Sequence, residues 1–270
     1  MLRLRILTAA ILGCVLLTGL FMLEPRWIVL AFGAVAIAGA WEWAGFGGLS
    51  SVPLRLLYCC AIALLLVLSW RWTQDPSHLQ VLLAAACAWW AAAFLWLIVA
   101  PEWHRPRLAL VCGIPVLVPA FVALGHLVVA GRGPFGGPKI VLWLVFLVIA
   151  SDIGAFFVGR QFGRRKLAPR VSPGKTWEGA LGGLLAVVLV ALGGARYFGF
   201  PAGLSIGFGC AVGVFSVIGD LTESMFKRSA GLKDSGVMLP GHGGILDRID
   251  SVTAAAPLYA LGLFGSGVIA

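Results

Sequence analysis

The stretch Asp220–Asp250, DLTESMFKRSAGLKDSGVMLPGHGGILDRID, decides how the rest of the chain is read. It carries four Lys/Arg, five Asp/Glu and one His, in a protein of which only 11% is charged. Apolar sequence borders it on both sides, so these charges sit where hydrocarbon meets water. Charge at that depth is costly and is normally kept because something binds there. Asp247 and Asp250 are spaced so that a helix would put both carboxylates on one face. Asp220 closes the preceding apolar run and offers a third oxygen ligand. Hard divalent cations such as Mg²⁺ take carboxylate oxygens of this kind, with substrate phosphates and waters completing the shell. Lys227, Arg228, Lys233 and Arg248 then suit phosphate oxygens. Pro240-Gly241-His242-Gly243-Gly244 is a breaker-rich turn that lets backbone approach a ligand closely. A solvated loop with internal ion pairs is the plainer alternative. The mixed signs, the glycines and the flanking apolar runs weigh against it.

Across the whole chain, 60% of the residues are apolar and the mean hydropathy is +0.99, which marks an integral membrane protein rather than a soluble core. A net charge of +9 then points to anionic headgroups and phosphorylated substrates, not to nucleic acid. Cys14, Cys59, Cys60, Cys87, Cys112 and Cys210 all fall in apolar runs, with no C-x-x-C pair and no Cys/His cluster. Neither a disulfide framework nor a zinc site is indicated. Arg3 and Arg5 ahead of an apolar run imitate a signal peptide, but no small-x-small cleavage site follows, so an uncleaved first span is expected.

Crossing roughly 30 Å of hydrocarbon takes about 20 apolar residues. About nine stretches qualify: 6–23, 27–45, 54–70, 79–99, 108–130, 140–158, 179–198, 201–220 and 251–269. Each should be a helix, because an open strand edge is unsatisfied in lipid. The expected fold is therefore an all-α polytopic bundle in a single domain, 1–270, with 1–139 as scaffold and lipid contact and 140–270 as the catalytic half. With the N-terminus inside, 15 of the 20 Lys/Arg fall on the cytoplasmic side and 5 outside. Both charged connections then face the cytoplasm, with the C-terminus outside.

Glu42 stands between Trp41 and Trp43 near a span end, and two partners suit it equally: a buried cation or the headgroups. His126 reads as a packing hydrogen bonder. A second polar element follows the sixth span, where Asp152 is the intramembrane acid with the strongest claim to function. The basic connection after it ends SPGKTWEG, Ser172 to Gly179. Its Gly-Lys-Thr is no P-loop, because Pro169 stands where that motif needs its first Gly. A basic loop held to anionic lipid remains the alternative reading of this box.

Ser224-x-x-Lys227-Arg228, then Lys233-Asp234, then His242-Gly243-Gly244-x-x-Asp247-Arg248-x-Asp250 resembles the signature of phosphatidate cytidylyltransferases, also called CDP-diacylglycerol synthases. Every fixed position is filled at intact spacing, and SPGKTWEG resembles a further element of the same family. The likeness is strongest from about Ala150 to Asp250 and only general in the first half. It implies a Mg²⁺-dependent enzyme that makes CDP-diacylglycerol and pyrophosphate from CTP and phosphatidic acid, an enzyme of phospholipid synthesis in the bacterial inner membrane. The expected metal ligands are Asp220, Asp247 and Asp250. Lys227, Arg228, Lys233, Asp234, His242 and Arg248 are the expected catalytic groups. Ser172, Lys175, Thr176, Glu178, Ser224, Gly243, Gly244 and Asp152 are the expected substrate contacts. Partners are CTP, phosphatidic acid and membrane lipids, with a second copy of the chain left open.

Two rival readings come from other classes. A CDP-alcohol phosphatidyltransferase wants D-G-x-x-A-R, which is absent, and a polyprenyl-phosphate transferase wants an aspartate-rich loop that is also missing. A transporter would explain Asp152 and Glu42, but it usually shows repeat symmetry and polar breaks in both halves. Here the charge gathers in one half, at one face.

Overall fold

The computed structural model describes residues 2–102, 105–130, 136–238 and 243–267. These form α1 (Leu2–Met22), α2 (Pro25–Phe46), α3 (Val52–Trp72), α4 (Pro76–Val99), α5 (Pro106–Val129) and α6 (Gly137–Phe162). A hairpin of β1 (Lys166–Ala168) and β2 (Ser172–Thr176) follows, then α7 (Trp177–Phe198), α8 (Ala202–Ser229) and α9 (Leu246–Gly265). Each of the nine apolar stretches coincides with a helix. Helices α2 to α6 each carry Pro in the first two positions, where its missing N–H is lost anyway and its fixed φ suits the helix. Helices α2 to α8 are long and apolar enough to cross a membrane.

Burial is uneven in a way that sets the layout. In its apolar window α5 is 72% buried, whereas α3 is only 11% buried and turns most of its surface outward. α5 is thus the central post, packed by α2, α3, α4, α6 and α9. The second half of the chain is built on close helix seams. A Cβ on Gly183 of α7 would lie 2.7 Å from the Ser151 carbonyl of α6. On Gly219 of α8 it would lie 2.5 Å from the Asp250 carbonyl of α9. Small residues permit such contact between backbones, and the second seam brings Asp220 beside Asp250.

Two details differ from the sequence reading. α8 does not stop at Asp220 but runs on to Ser229, and α9 begins at Leu246 rather than at residue 251. The 220–250 stretch is therefore two helix ends joined by the connection 230–245. The charges do not end α8, because Glu223 and Lys227 pair across one helical turn at 3.2 Å. The antiparallel hairpin, with Lys166 opposite Thr176 and Ala168 opposite Ser172, is the one exception to an all-helical chain among the described residues. It lies in the α6–α7 connection, outside the spans.

Candidate active site

A cavity of about 470 Å³ opens between α6, the hairpin, the start of α7 and α8. Asp152, Ser172, Lys175, Thr176 and Asp220 supply much of its polar wall, with Phe156 and Val217 on the apolar side. The two polar elements of the sequence meet here. Lys175 Nζ lies 2.5 Å from Asp220 Oδ2, and the Ser224 hydroxyl donates to Asp220 Oδ1 at 3.4 Å. Asp152 is close enough to feel the charges of Asp220, Lys175 and Arg248.

The hairpin holds Lys175 in place. The Thr176 hydroxyl accepts the Gly179 N–H at 3.1 Å and so caps the start of α7. Glu178, expected to touch substrate, accepts the backbone N–H groups of Arg164 and Arg165 at 3.1 and 3.2 Å. Its carboxylate ties the loop to the helix. Arg228, expected on a phosphate, donates to the carbonyls of Val171 and Leu232 at 3.4 and 3.1 Å, joining the hairpin to the end of α8.

A second cluster sits deeper, between α8 and α9. Lys227 is only 7% exposed. Its Nζ lies 2.6 Å from Asp247 Oδ1 and 3.2 Å from Glu223 Oε1. Asp247 Oδ2 accepts the backbone N–H of Ser235 at 2.9 Å and that of Gly244 at 2.8 Å, and lies 3.0 Å from the Ser235 hydroxyl. Asp250 Oδ1 accepts the Ser251 N–H at 2.7 Å and feels both Glu223 and Asp220. The two clusters are thus electrostatically one. Five acidic groups (Asp152, Asp220, Glu223, Asp247, Asp250) face three basic ones (Lys175, Lys227, Arg248), two more acids than bases.

That excess, with oxygen donors only, suits a hard divalent cation. No three His, Cys, Asp or Glu among the described residues converge into a ready cage. Mg²⁺ does not need one, since it commonly uses one or two carboxylates with substrate phosphates and waters. Of the three expected ligands, Asp220 and Asp250 keep the lighter hydrogen bonding. Asp247 would join them only by giving up Lys227 at Oδ1.

Glu42 follows neither of the two alternatives its sequence context offered. It is 3% exposed, and neutral donors surround it. Oε1 accepts the Ile245 N–H at 3.0 Å, while Oε2 accepts the Leu246 N–H and the Ser235 hydroxyl, each at 2.9 Å. Gly236 and Gly244 close over it, and a Cβ on Gly236 would come to 2.5 Å from Oε1. A residue of the first half therefore reaches the motif of the second.

Lys233 and Asp234 are exposed on the connection, and Arg248 is exposed on the first turn of α9. Gly243 takes φ +81°, a left-handed turn that glycine adopts freely, and points the chain back toward Asp247. His242 lies outside the described residues. Sequence reasoning had assigned no site role to Glu223, Ser235 or Glu42. Only Glu42 had left a signal, a carboxylate among tryptophans in an apolar run.

The model of the cytidylyltransferase family matches residues 3–264. Phosphatidate cytidylyltransferase of Haemophilus influenzae is 40% identical to the chain over 96% of its length and 98% of that protein. The protein of the same name from Pseudomonas aeruginosa is 43% identical over 99% of the chain and 98% of its own length. The uncharacterized protein YnbB of Escherichia coli is 42% identical over 46% of the chain.

Proposed function

The chain belongs to the cytidylyltransferase family, and we infer that it is an integral membrane enzyme transferring CMP from CTP to phosphatidic acid. The products are CDP-diacylglycerol, for phospholipid synthesis, and pyrophosphate. The observation that carries the reading is the meeting of Lys175 with Asp220 at the cavity wall. It joins two polar elements, far apart in sequence, into one site with hard oxygen donors and cations. Transfer of α-phosphate label from CTP to phosphatidate is the test.

A phosphate monoester has its second pKa near 6, so a phosphatidate oxygen is largely ionised at neutral pH and needs no general base. The reaction needs two polyanions brought into line, and charge neutralised on the departing pyrophosphate. Lys175 and Arg248, beside Asp152 and Asp220, are the groups proposed to hold phosphate oxygens. Ser172 and the backbone turn at Gly243-Gly244 are proposed to orient them. Lys227, paired with Asp247, is proposed to hold that carboxylate in position. Asp220 and Asp250 are the carboxylates proposed to hold Mg²⁺, which when bound supplies neutralising charge at the phosphates. The apolar side of the cavity, at Phe156 and Val217, suits the lipid substrate. The Lys/Arg distribution supports a site facing the cytoplasm, where CTP is found, with the bacterial inner membrane as the compartment.

A further inference from the structure

We propose that Glu42 is a positioning residue for this reaction, acting from α2 through Ser235 and the start of α9 on Asp247. The proposal rests on the functional reading above and adds a residue from the half of the chain expected to be scaffold.

Four observations carry it. Glu42 is a fully enclosed carboxylate, and burying one is costly unless its oxygens are satisfied. Both oxygens accept backbone N–H groups at the N-terminus of α9, the end of a helix that favours negative charge. The same oxygens reach the connection 230–245 through the Ser235 hydroxyl, which stands 2.9 Å from Glu42 Oε2 and 3.0 Å from Asp247 Oδ2. One hydroxyl proton therefore serves two carboxylates, and the Ser235 oxygen also lies 3.3 Å from the Asp247 N–H as an acceptor. Finally, the glycines at 236 and 244 leave no room for another side chain around Glu42. The arrangement fixes the first turn of α9, and with it the oxygen that holds Lys227.

Geometry also dictates which substitution is informative. Because each oxygen of Glu42 accepts a backbone N–H, Gln at this position must turn its NH₂ toward one of them, whichever way it is flipped. Glu42→Gln keeps the shape and sets donor against donor. Ser235→Ala leaves the Glu42 bonds to Ile245 and Leu246 in place and removes the hydroxyl between the two carboxylates, together with the bond it accepts from the Asp247 N–H.

The test uses the full chain in detergent micelles with CTP, phosphatidate and Mg²⁺, together with amide hydrogen exchange read by mass spectrometry. Glu42→Gln is expected to lower kcat about tenfold or more, with KM for both substrates within about twofold, since alignment and not binding is lost. Exchange at Ile245 and Leu246 should speed up in the same variant. Ser235→Ala should lower kcat about threefold or more in a chain that still folds with a somewhat lower melting midpoint, and it decides the matter if Glu42→Gln does not fold. Wild-type kcat in either folded variant overturns the proposal, as does a loss of kcat in Glu42→Gln with unchanged exchange at Ile245 and Leu246. A natural chain that makes no CDP-diacylglycerol contradicts the functional reading instead. Faster exchange in Glu42→Gln would still support the placement of Glu42.

Discussion

Lys227 and Asp247 meet at 2.6 Å across the seam between α8 and α9, with Glu223 on the other side of the ammonium at 3.2 Å. The lysine is held by two carboxylates and is only 7% exposed. Breaking such a pair leaves an unpaired buried charge, which is strongly destabilising.

Burial separates two lysines that the sequence pattern treats alike. Lys227 is enclosed while Lys233 is exposed on the connection. Lys227→Arg should lower turnover about tenfold or more, because a planar fork does not replace an ammonium between two carboxylates. Lys233→Arg should stay within about threefold of the natural rate, as expected for a charge in water. Equal and large losses would restore Lys233 to the machinery, and the paired assay of both variants decides it.

The acids should divide by their response to metal. Asp220→Asn is expected to raise the Mg²⁺ concentration needed for half-maximal rate about tenfold or more, as loss of a direct ligand does. Asp247→Asn should cut the rate at saturating Mg²⁺ and leave that midpoint nearly unchanged, because its hydrogen bonds already tie it to Lys227, Ser235 and Gly244. A shifted midpoint in Asp247→Asn would show that Asp247 exchanges Lys227 for the metal.

Orientation is open to labelling. In a chain lacking the native six cysteines, a cysteine at Val237, which is 94% exposed, should react from the cytoplasmic side. One at Pro201, between α7 and α8, should react from the other. The reverse pattern would place the site away from CTP.

The hairpin makes a claim on stability. Thr176→Ala removes the cap on α7 and should cost about 1 kcal/mol. A lower melting midpoint with full occupancy of the membrane would show it, and an unchanged midpoint would not.

Much of this was legible because the background is so apolar. Against it, Asp220, Lys227, Asp247 and Asp250 stand out by charge alone, and the nine apolar stretches locate nine helices to within a few residues at most ends. The clear failure was the end of α8. Charged residues there looked like a loop, although the Glu223–Lys227 pair satisfies itself within the helix. Thr176 and Glu178 also have structural bonds that the sequence did not show, since capping a helix and holding a ligand draw on the same oxygens. Glu42 could be marked as unusual but not placed. Its partners are backbone N–H groups some two hundred residues away, and a backbone N–H has no signature in sequence.

Which atoms of CTP reach the lipid decides the reaction most directly. CTP labelled at the α-phosphorus, given to the purified chain with phosphatidate and Mg²⁺, should yield labelled CDP-diacylglycerol. CTP labelled at the γ-phosphorus should leave the lipid unlabelled and put its label in pyrophosphate. Label from the γ-phosphorus in the lipid, or no transfer to phosphatidate by a folded chain, would contradict CMP transfer.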